Sequence, residues 1–404
     1  MNKSTFFTGQ PIFTQLLNLI PRSMVNQISN KHSSNHYCKK FMAYDHLVAM
    51  LYAGFFQCTS LRELITGLQA NASRLNHLGL RATPRKSTLS DANARRDEVF
   101  FSELYHRLYA MHFIFPDSRL SRKEEKLFII DSTTISLFSE IMKGAGSYKD
   151  SGKKKGGVKA HMMVDAAHDI PAFIYITPGK EHDLVFLQKL HVPDHSRLVM
   201  DKAYINYKQF KSWGERNIKW TTRLKRDAFI QSHQDLSVSV EESSKGVLGD
   251  QLVVLGRPSN TRITPIINAR IVRFYHAQSD RIFEFLTNDF DALPSQVAQL
   301  YRQRWQIEIL FKRIKQRYPL KYFLGDNPNA IKIQIWAALI CDLLVKIIQR
   351  KVNRTRKIPW AYASLSSMIK HHLMTYLNLK SFLMNPEKAL IGYSPPDFQL
   401  KIFT

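Results

Sequence analysis

Cysteine is nearly missing from this chain: Cys38, Cys58 and Cys341 are the three in 404 residues. Wide spacing and an odd number support neither a disulfide framework nor a Cys-x-x-Cys metal site, and such usage suits a reducing cytosol. Long apolar runs are missing too. The longest, such as Ile335–Asp342, meets a charge well before the roughly 18 residues that mark a membrane helix. Met1-Asn-Lys-Ser-Thr-Phe-Phe lacks a charged segment followed by a sustained hydrophobic one, so no signal peptide is expected. There is no internal repeat and no low-complexity tract. None of the 15 histidines pairs with cysteine at zinc-finger spacing. Acids are the scarce charge, 33 Asp+Glu against 58 Lys+Arg, for a formal net charge of +25. That excess asks for a polyanionic partner. Without a membrane element, nucleic acid is the economical choice.

What is present concentrates in Tyr301-Arg-Gln-Arg304-Trp-Gln-Ile-Glu308-Ile-Leu-Phe-Lys312-Arg-Ile-Lys315. The stretch holds good helix formers and neither Gly nor Pro, which predicts one helix. At about 100° per residue, Tyr301, Arg304, Glu308 and Lys315 share one face of it. Ile307, Leu310, Phe311 and Ile314 form an apolar stripe on another. One carboxylate among cationic and hydroxyl groups suits a metal-binding acid working beside phosphates. The alternative is a solvated face laced with helix-stabilising charge pairs.

Upstream, two aspartates each end an apolar run. Lys126-Leu-Phe-Ile-Ile130 reads as a buried strand followed by Asp131-Ser-Thr-Thr, and Arg197-Leu-Val-Met200 as another followed by Asp201-Lys-Ala-Tyr. Polar residues just past buried strands sit at the carboxyl edge of an α/β sheet, where sites form. Alone, each aspartate more often reads as a turn former or helix cap. Together with Glu308 they offer three hard oxygen ligands of the kind Mg²⁺ takes alongside water and phosphate.

With these residues in place, the chain resembles a DDE transposase of the insertion-sequence-four group. That group's Tyr-(2)-Arg-(3)-Glu-(6)-Lys pattern is complete at Tyr301, Arg304, Glu308 and Lys315, and its first aspartate motif matches Asp131-Ser132-Thr133-Thr134. Its second is often Asp-Lys-Gly-Tyr. Here it is Asp201-Lys-Ala203-Tyr204, with Ala in place of Gly. The likeness is firm over roughly residues 120 to 345. It implies an α/β fold: a ribonuclease H-like catalytic core with a β-strand-rich insertion, preceded by an all-α N-terminal DNA-binding domain. The corresponding boundaries are 1–118, 119–345 with the insertion at about 226–290, and a helical basic region over 346–404. It also implies that Asp131, Asp201 and Glu308 are catalytic and bind two Mg²⁺ or Mn²⁺ ions. Tyr301, Arg304, Lys315 and Lys312 would then hold the DNA backbone. The function implied is binding of an element's terminal inverted repeats, then strand cleavage and transfer. Partners would be transposon ends, target DNA and a second copy of the chain, in a bacterial cytoplasm at the nucleoid. Two rivals are another ribonuclease H-like nuclease and a transposase-derived DNA binder without catalysis.

The rest of the chain reads as follows. Ile12 to Ile28 is helical with a break at Pro21, Asp45 to Phe56 is an apolar helix, and Ser60 caps Leu61 to Leu68. After Pro84, Ser87 is expected to cap a helix running through Phe100, Leu104 and Leu108. Its basic, hydroxyl-rich start makes Arg85, Lys86 and Arg95 candidate DNA contacts. Lys143 to Gly157 is glycine-rich and basic but not a P-loop, and Lys153, Lys154 and Lys155 are candidate phosphate contacts. Val158 to Val164 and Ala172 to Ile176 read as strands. His182-Asp183 opens a helix, with Asp183 a plausible cap. Tyr207 to Arg216 reads as a helix and Ile218 to Leu224 as a strand. Ser237–Glu241, Gln251–Leu255, Ile263 to Tyr275 and Arg281–Leu286 read as further strands. Phe274, Tyr275 and Trp220 are candidates for stacking on a base, or core residues.

Overall fold

The structure, a computed structural model, describes residues 9–114, 125–136, 157–179, 181, 183–257, 265–318 and 320–390. Lys153, Lys154, Lys155 and His182 lie outside them. The described residues fall into two compact units, one within Met1–Ile114 and Ile314–Thr404, the other within Phe115–Arg313.

The first unit is helical. It holds α1 (Ile12–Leu17), α2 (Arg22–Lys31), α3 (Ala43–Phe56), α4 (Leu61–Ala70), α5 (Lys86–Arg95) and α6 (Val99–Tyr109). Pro21 is the N-cap of α2, and Ser60 Oγ caps α4 by accepting the Glu63 N–H at 3.2 Å. The helix expected to run unbroken from Ser87 through Leu108 is two helices. Asp97 Oδ1 takes the Val99 N–H at 3.0 Å and restarts the chain, and Arg85, not Ser87, is the N-cap of α5. A long helix of the same unit, Pro328–Asn353, is buried along most of its length against α3, α5 and α6. Gly54 of α3 permits that approach, since a Cβ there would lie 2.8 Å from Cys341 Sγ. Position 345, expected as a domain limit, lies inside this helix. Helices Tyr362–His371 and Leu379–Met384 belong to the same unit. Lys346, read as part of a basic tail, is buried with its ammonium over the Tyr362 ring.

The second unit is built on a sheet of nine strands among the described residues, in order β3-β2-β1-β4-β5-β9-β8-β7-β6. These are β1 (Leu127–Ser136), β2 (Gly157–Asp165), β3 (Ile170–Pro178), β4 (Arg197–Met200), β5 (Lys219–Arg223), β6 (Ile230–Leu236), β7 (Val247–Leu255), β8 (Ile267–His276) and β9 (Arg281–Thr287). β1, β4 and β5 run parallel, while β2 and β3 extend one side as an antiparallel meander. The expected strand-rich segment adds β9, β8, β7 and β6 antiparallel beyond β5. Ser237–Glu241 is not a strand. Ser239 Oγ accepts the Glu242 N–H at 3.2 Å and caps the helix Val240–Ser244, so local capping outweighed the alternating pattern.

Side-chain alternation gives the sheet two covered faces. Phe128, Ile130, Leu198 and Met200 pack on one face with Phe186 and Leu187 of the helix Asp183–Lys189 and with Phe210 and Trp213 of the helix Tyr207–Glu215. Trp220 is in this core, stacked on Phe210 at 4.0 Å, and is closed to any base. Val199 points to the other face. There it meets Val297, Ala298 and Tyr301 of the helix Pro294–Arg302.

Candidate active site

The register decides where the two aspartates stand. The parallel ladder between β1 and β4 ends at Ile130↔Met200, so Asp131, still within β1, and Asp201, just past β4, come next on two neighbouring chain segments. Ile130 and Met200 face one core, so alternation aims both aspartates to the opposite face, the one covered by the helix Pro294–Arg302. Asp131 does not end its strand, because antiparallel pairing with β2 continues to Ser136↔Gly157. Each carboxylate is fixed locally: Asp131 Oδ1 accepts the Ser132 N–H at 2.8 Å, and Asp201 Oδ1 accepts the Ala203 N–H at 3.0 Å. Asp201 thereby caps the short 3₁₀ turn Lys202–Tyr204, a conformation open to alanine.

The helix expected across Tyr301 to Lys315 is interrupted. Pro294–Arg302 closes in a turn at Gln303 and Arg304, held by i→i+3 bonds from Arg304 N to Tyr301 O at 3.0 Å and from Ile307 N to Arg304 O at 3.2 Å, and a new helix runs over Trp305–Arg317. The physical reason lies in the buried faces. Val297, Ala298 and Tyr301 are buried in the first helix; Ile307, Leu310, Phe311 and Ile314, the expected apolar stripe, are buried in the second. The step of six from Tyr301 to Ile307 falls out of phase with 3.6 residues per turn, so one straight helix would not bury both sets.

From that turn Arg304 reaches two carboxylates at once. Nη1 donates to Asp131 Oδ2 and Nη2 to Glu308 Oε1, each at 2.8 Å. Asp201 Oδ2 accepts from Arg223 Nη2 at 3.3 Å. Both guanidinium groups lie 5.9 Å from the Tyr301 ring centre. Burial, and behind it the charges of Asp201 and Glu308, pushes the Asp131 carboxyl up to about 6, against the pull of the Ser132 N–H and Arg304. Among the described residues, no three His, Cys, Asp or Glu side chains are grouped closely enough to hold a metal ion as they stand. Arg304 stands between Asp131 and Glu308.

Beside these residues opens a cavity of about 1480 Å³, lined in part by Arg223, Lys245, Phe283, Tyr301, Arg304 and Trp305. Phe274 also lines it, while Tyr275 is partly exposed and bonds Asp280. Lys312 is exposed on the helix Trp305–Arg317. Lys315, on its last turn, is half-buried, and burial lowers its ammonium pKa. Arg85 and Lys86 are exposed at the start of α5. Arg95, at its end, pairs with Asp91 one turn back. Sequence reasoning missed Arg223. It ends β5, the strand parallel to β4, on the same side as the aspartates, and no local pattern in Lys219–Arg223 marks it.

Acids from two neighbouring chain segments of an α/β sheet thus stand with Arg223 and Arg304 beside an open cavity. Residues 122–344 match the family described as transposase DDE domain. Residues 8–81 match a domain of unknown function, DUF4372. The transposase-named protein y4zB of Sinorhizobium fredii is 31% identical over 275 residues, covering 67% of this chain and 73% of that one. The protein named as transposase for insertion sequence element IS4SA in Synechocystis is 26% identical over 299 residues, covering 70% and 77%. Transposase InsG for insertion sequence element IS4 of Escherichia coli is 24% identical over 202 residues, covering 45% and 42%. The chain belongs to the transposase DDE domain family. It is a transposase, an enzyme of DNA cleavage and strand transfer, in a family that uses divalent metal ions.

Proposed function

We propose that this chain is the transposase of an insertion sequence of the insertion-sequence-four group, with Asp131, Asp201 and Glu308 as its catalytic, metal-binding acids. One observation carries the reading: Arg304 ties Glu308 to Asp131, and the strand register sets Asp201 beside Asp131. The core is ribonuclease H-like, a reading supported by the order β3-β2-β1-β4-β5 with β1, β4 and β5 parallel and by the mixed insertion beyond β5.

The donor set fits magnesium. Three carboxylates are hard oxygen ligands, and burial, with the charges of Asp201 and Glu308 behind it, raises the Asp131 pKa, so a bound cation would favour its ionised form. Two bound Mg²⁺ or Mn²⁺ ions supply activation of the attacking oxygen and stabilisation of the leaving oxygen. The chain's own groups do the positioning. Arg304 exchanges its two carboxylates for a phosphate, which it can hold with two parallel N–H bonds. Arg223 and Tyr301 flank it. Lys312 and Lys315 hold the backbone further along the same helix, and the cation-lined cavity receives the DNA. Arg85, Lys86 and Arg95 of the helical unit contribute to recognition of the terminal inverted repeats. The two repeats are paired by a homodimer.

Glu308→Gln tests the reading. It should bind a duplex carrying the element's end as the parent does, while strand cleavage in Mg²⁺ falls by at least a thousandfold. Equal loss of binding and cleavage would remove Glu308 from the chemistry. Parent protein that binds DNA but nicks no plasmid in any divalent metal would favour a binder without catalysis.

A further inference from the structure

We propose that Asp183 is a positioning residue that holds Asp131 and Asp201 in fixed relation to each other. The inference rests on the reading of Asp131 and Asp201 as metal ligands. Asp183 opens the helix Asp183–Lys189, an element separate from both strands. One of its oxygens, Oδ1, accepts from Ser132 Oγ at 3.1 Å and from Tyr204 OH at 3.4 Å, and pairs with Lys159 Nζ at 2.7 Å. Ser132 is the residue whose N–H fixes Asp131, and Tyr204 closes the turn that Asp201 caps. A single atom is therefore bonded to the segments that aim each aspartate. The ladder between β1 and β4 ends at Ile130↔Met200, and this shared oxygen ties together the two segments just beyond it.

The surroundings make this contact stiff. The Asp183 side chain is 20% exposed and Lys159 17%. Lys159 and His161 stand on β2 opposite Thr134 and Ser132. His161 is fully buried and stacks on Phe186, and its Nε2 is 3.1 Å from Thr177 Oγ1. Burial pushes its pKa down to about 4, so it is neutral, and its Nδ1 approaches Asp183 Oδ1 at 3.4 Å without hydrogen-bond geometry. Burial also pushes the Tyr204 phenol up, which keeps it a donor. Lys159 is thus the cation that balances Asp183.

Mn²⁺ titrated into the full-length protein and followed by the EPR signal of free Mn²⁺ reads the relation directly. Asp183→Ala should weaken Mn²⁺ binding about tenfold, the scale seen when groups that orient metal ligands are removed. Ser132→Ala with Tyr204→Phe, which leaves the Asp183–Lys159 pair intact, should weaken it by a similar factor. The triple variant should add nothing further, because all three act through one contact. Asp183→Asn keeps the accepting oxygen and should lie within about threefold of the parent. Melting temperatures measured alongside separate folding from positioning. Lowered melting temperatures with unchanged Mn²⁺ affinity, or factors that multiply in the triple variant, would overturn the proposal. Asp131→Asn and Asp201→Asn serve as controls. If they too leave Mn²⁺ binding unchanged, the carboxylate reading itself fails. If they abolish binding while the Asp183 and Ser132/Tyr204 variants do not weaken it, the positioning role alone fails.

Discussion

Arg304 is the residue on which charge balance at the site turns. One guanidinium satisfies two carboxylates through separate nitrogens, and an ammonium cannot copy that fork. Arg304→Lys should keep the net charge yet lower cleavage by more than tenfold, read in single-turnover assays on bound end DNA. Activity within twofold of the parent would show that a point charge suffices. A second residue-scale expectation concerns His46, buried in the helical unit with Nε2 2.7 Å from Asn93 Oδ1. Burial holds its pKa down to about 3 from 6.5, so the folded chain keeps it neutral while the unfolded chain protonates it near 6.5. Its stabilising contribution is complete above pH 6.5 and is lost as pH falls towards 3. At pH 5 the loss is about 2 kcal/mol. Urea midpoints at pH 7 and pH 5 should differ less in His46→Gln than in the parent. The same difference in both would acquit His46. At this scale the sequence was legible where a residue ended a recognisable run, as Asp131 and Asp201 do. Arg223 was not, because nothing in Lys219–Arg223 alone tells that β5 lies beside β4.

At the scale of elements, the short strand Arg197–Met200 was readable to the residue, because a buried parallel strand is a plain apolar run. The break at Gln303 and Arg304 was not. It contains neither Gly nor Pro and arises from which faces the sheet and the helices bury. The insertion has a buried pair of its own: Arg270 on β8 donates through Nε and Nη2 to Asp250 on β7 at 2.7 Å each, and through Nη1 to the Ala292 carbonyl, just past the insertion, at 2.6 Å. Both side chains are at most 5% exposed. Arg270→Met leaves the Asp250 carboxylate buried and unpaired. It should cost about 3 kcal/mol in denaturant unfolding, with part regained in the double variant with Asp250→Leu. A loss below about 1 kcal/mol would show the pair to be solvated.

At the scale of the molecule, the composition spoke for a polyanion, and the +25 net charge predicts steeply salt-dependent binding to any duplex. Lys315→Ala should flatten the slope of log affinity against log salt by about one, and an unchanged slope would remove Lys315 from the phosphate contacts. The pairing of helices from the two ends of the chain was not legible. Packing of Pro328–Asn353 on α3, α5 and α6 joins residues more than two hundred positions apart, and no local pattern encodes that. The most direct measurement is a structure of the protein with its end DNA and Mn²⁺, with the ion located by anomalous scattering. Manganese should be bound by Asp131, Asp201 and Glu308, with the Arg304 guanidinium on a phosphate. Manganese bound elsewhere, or Glu308 remote from both aspartates in that complex, would contradict it.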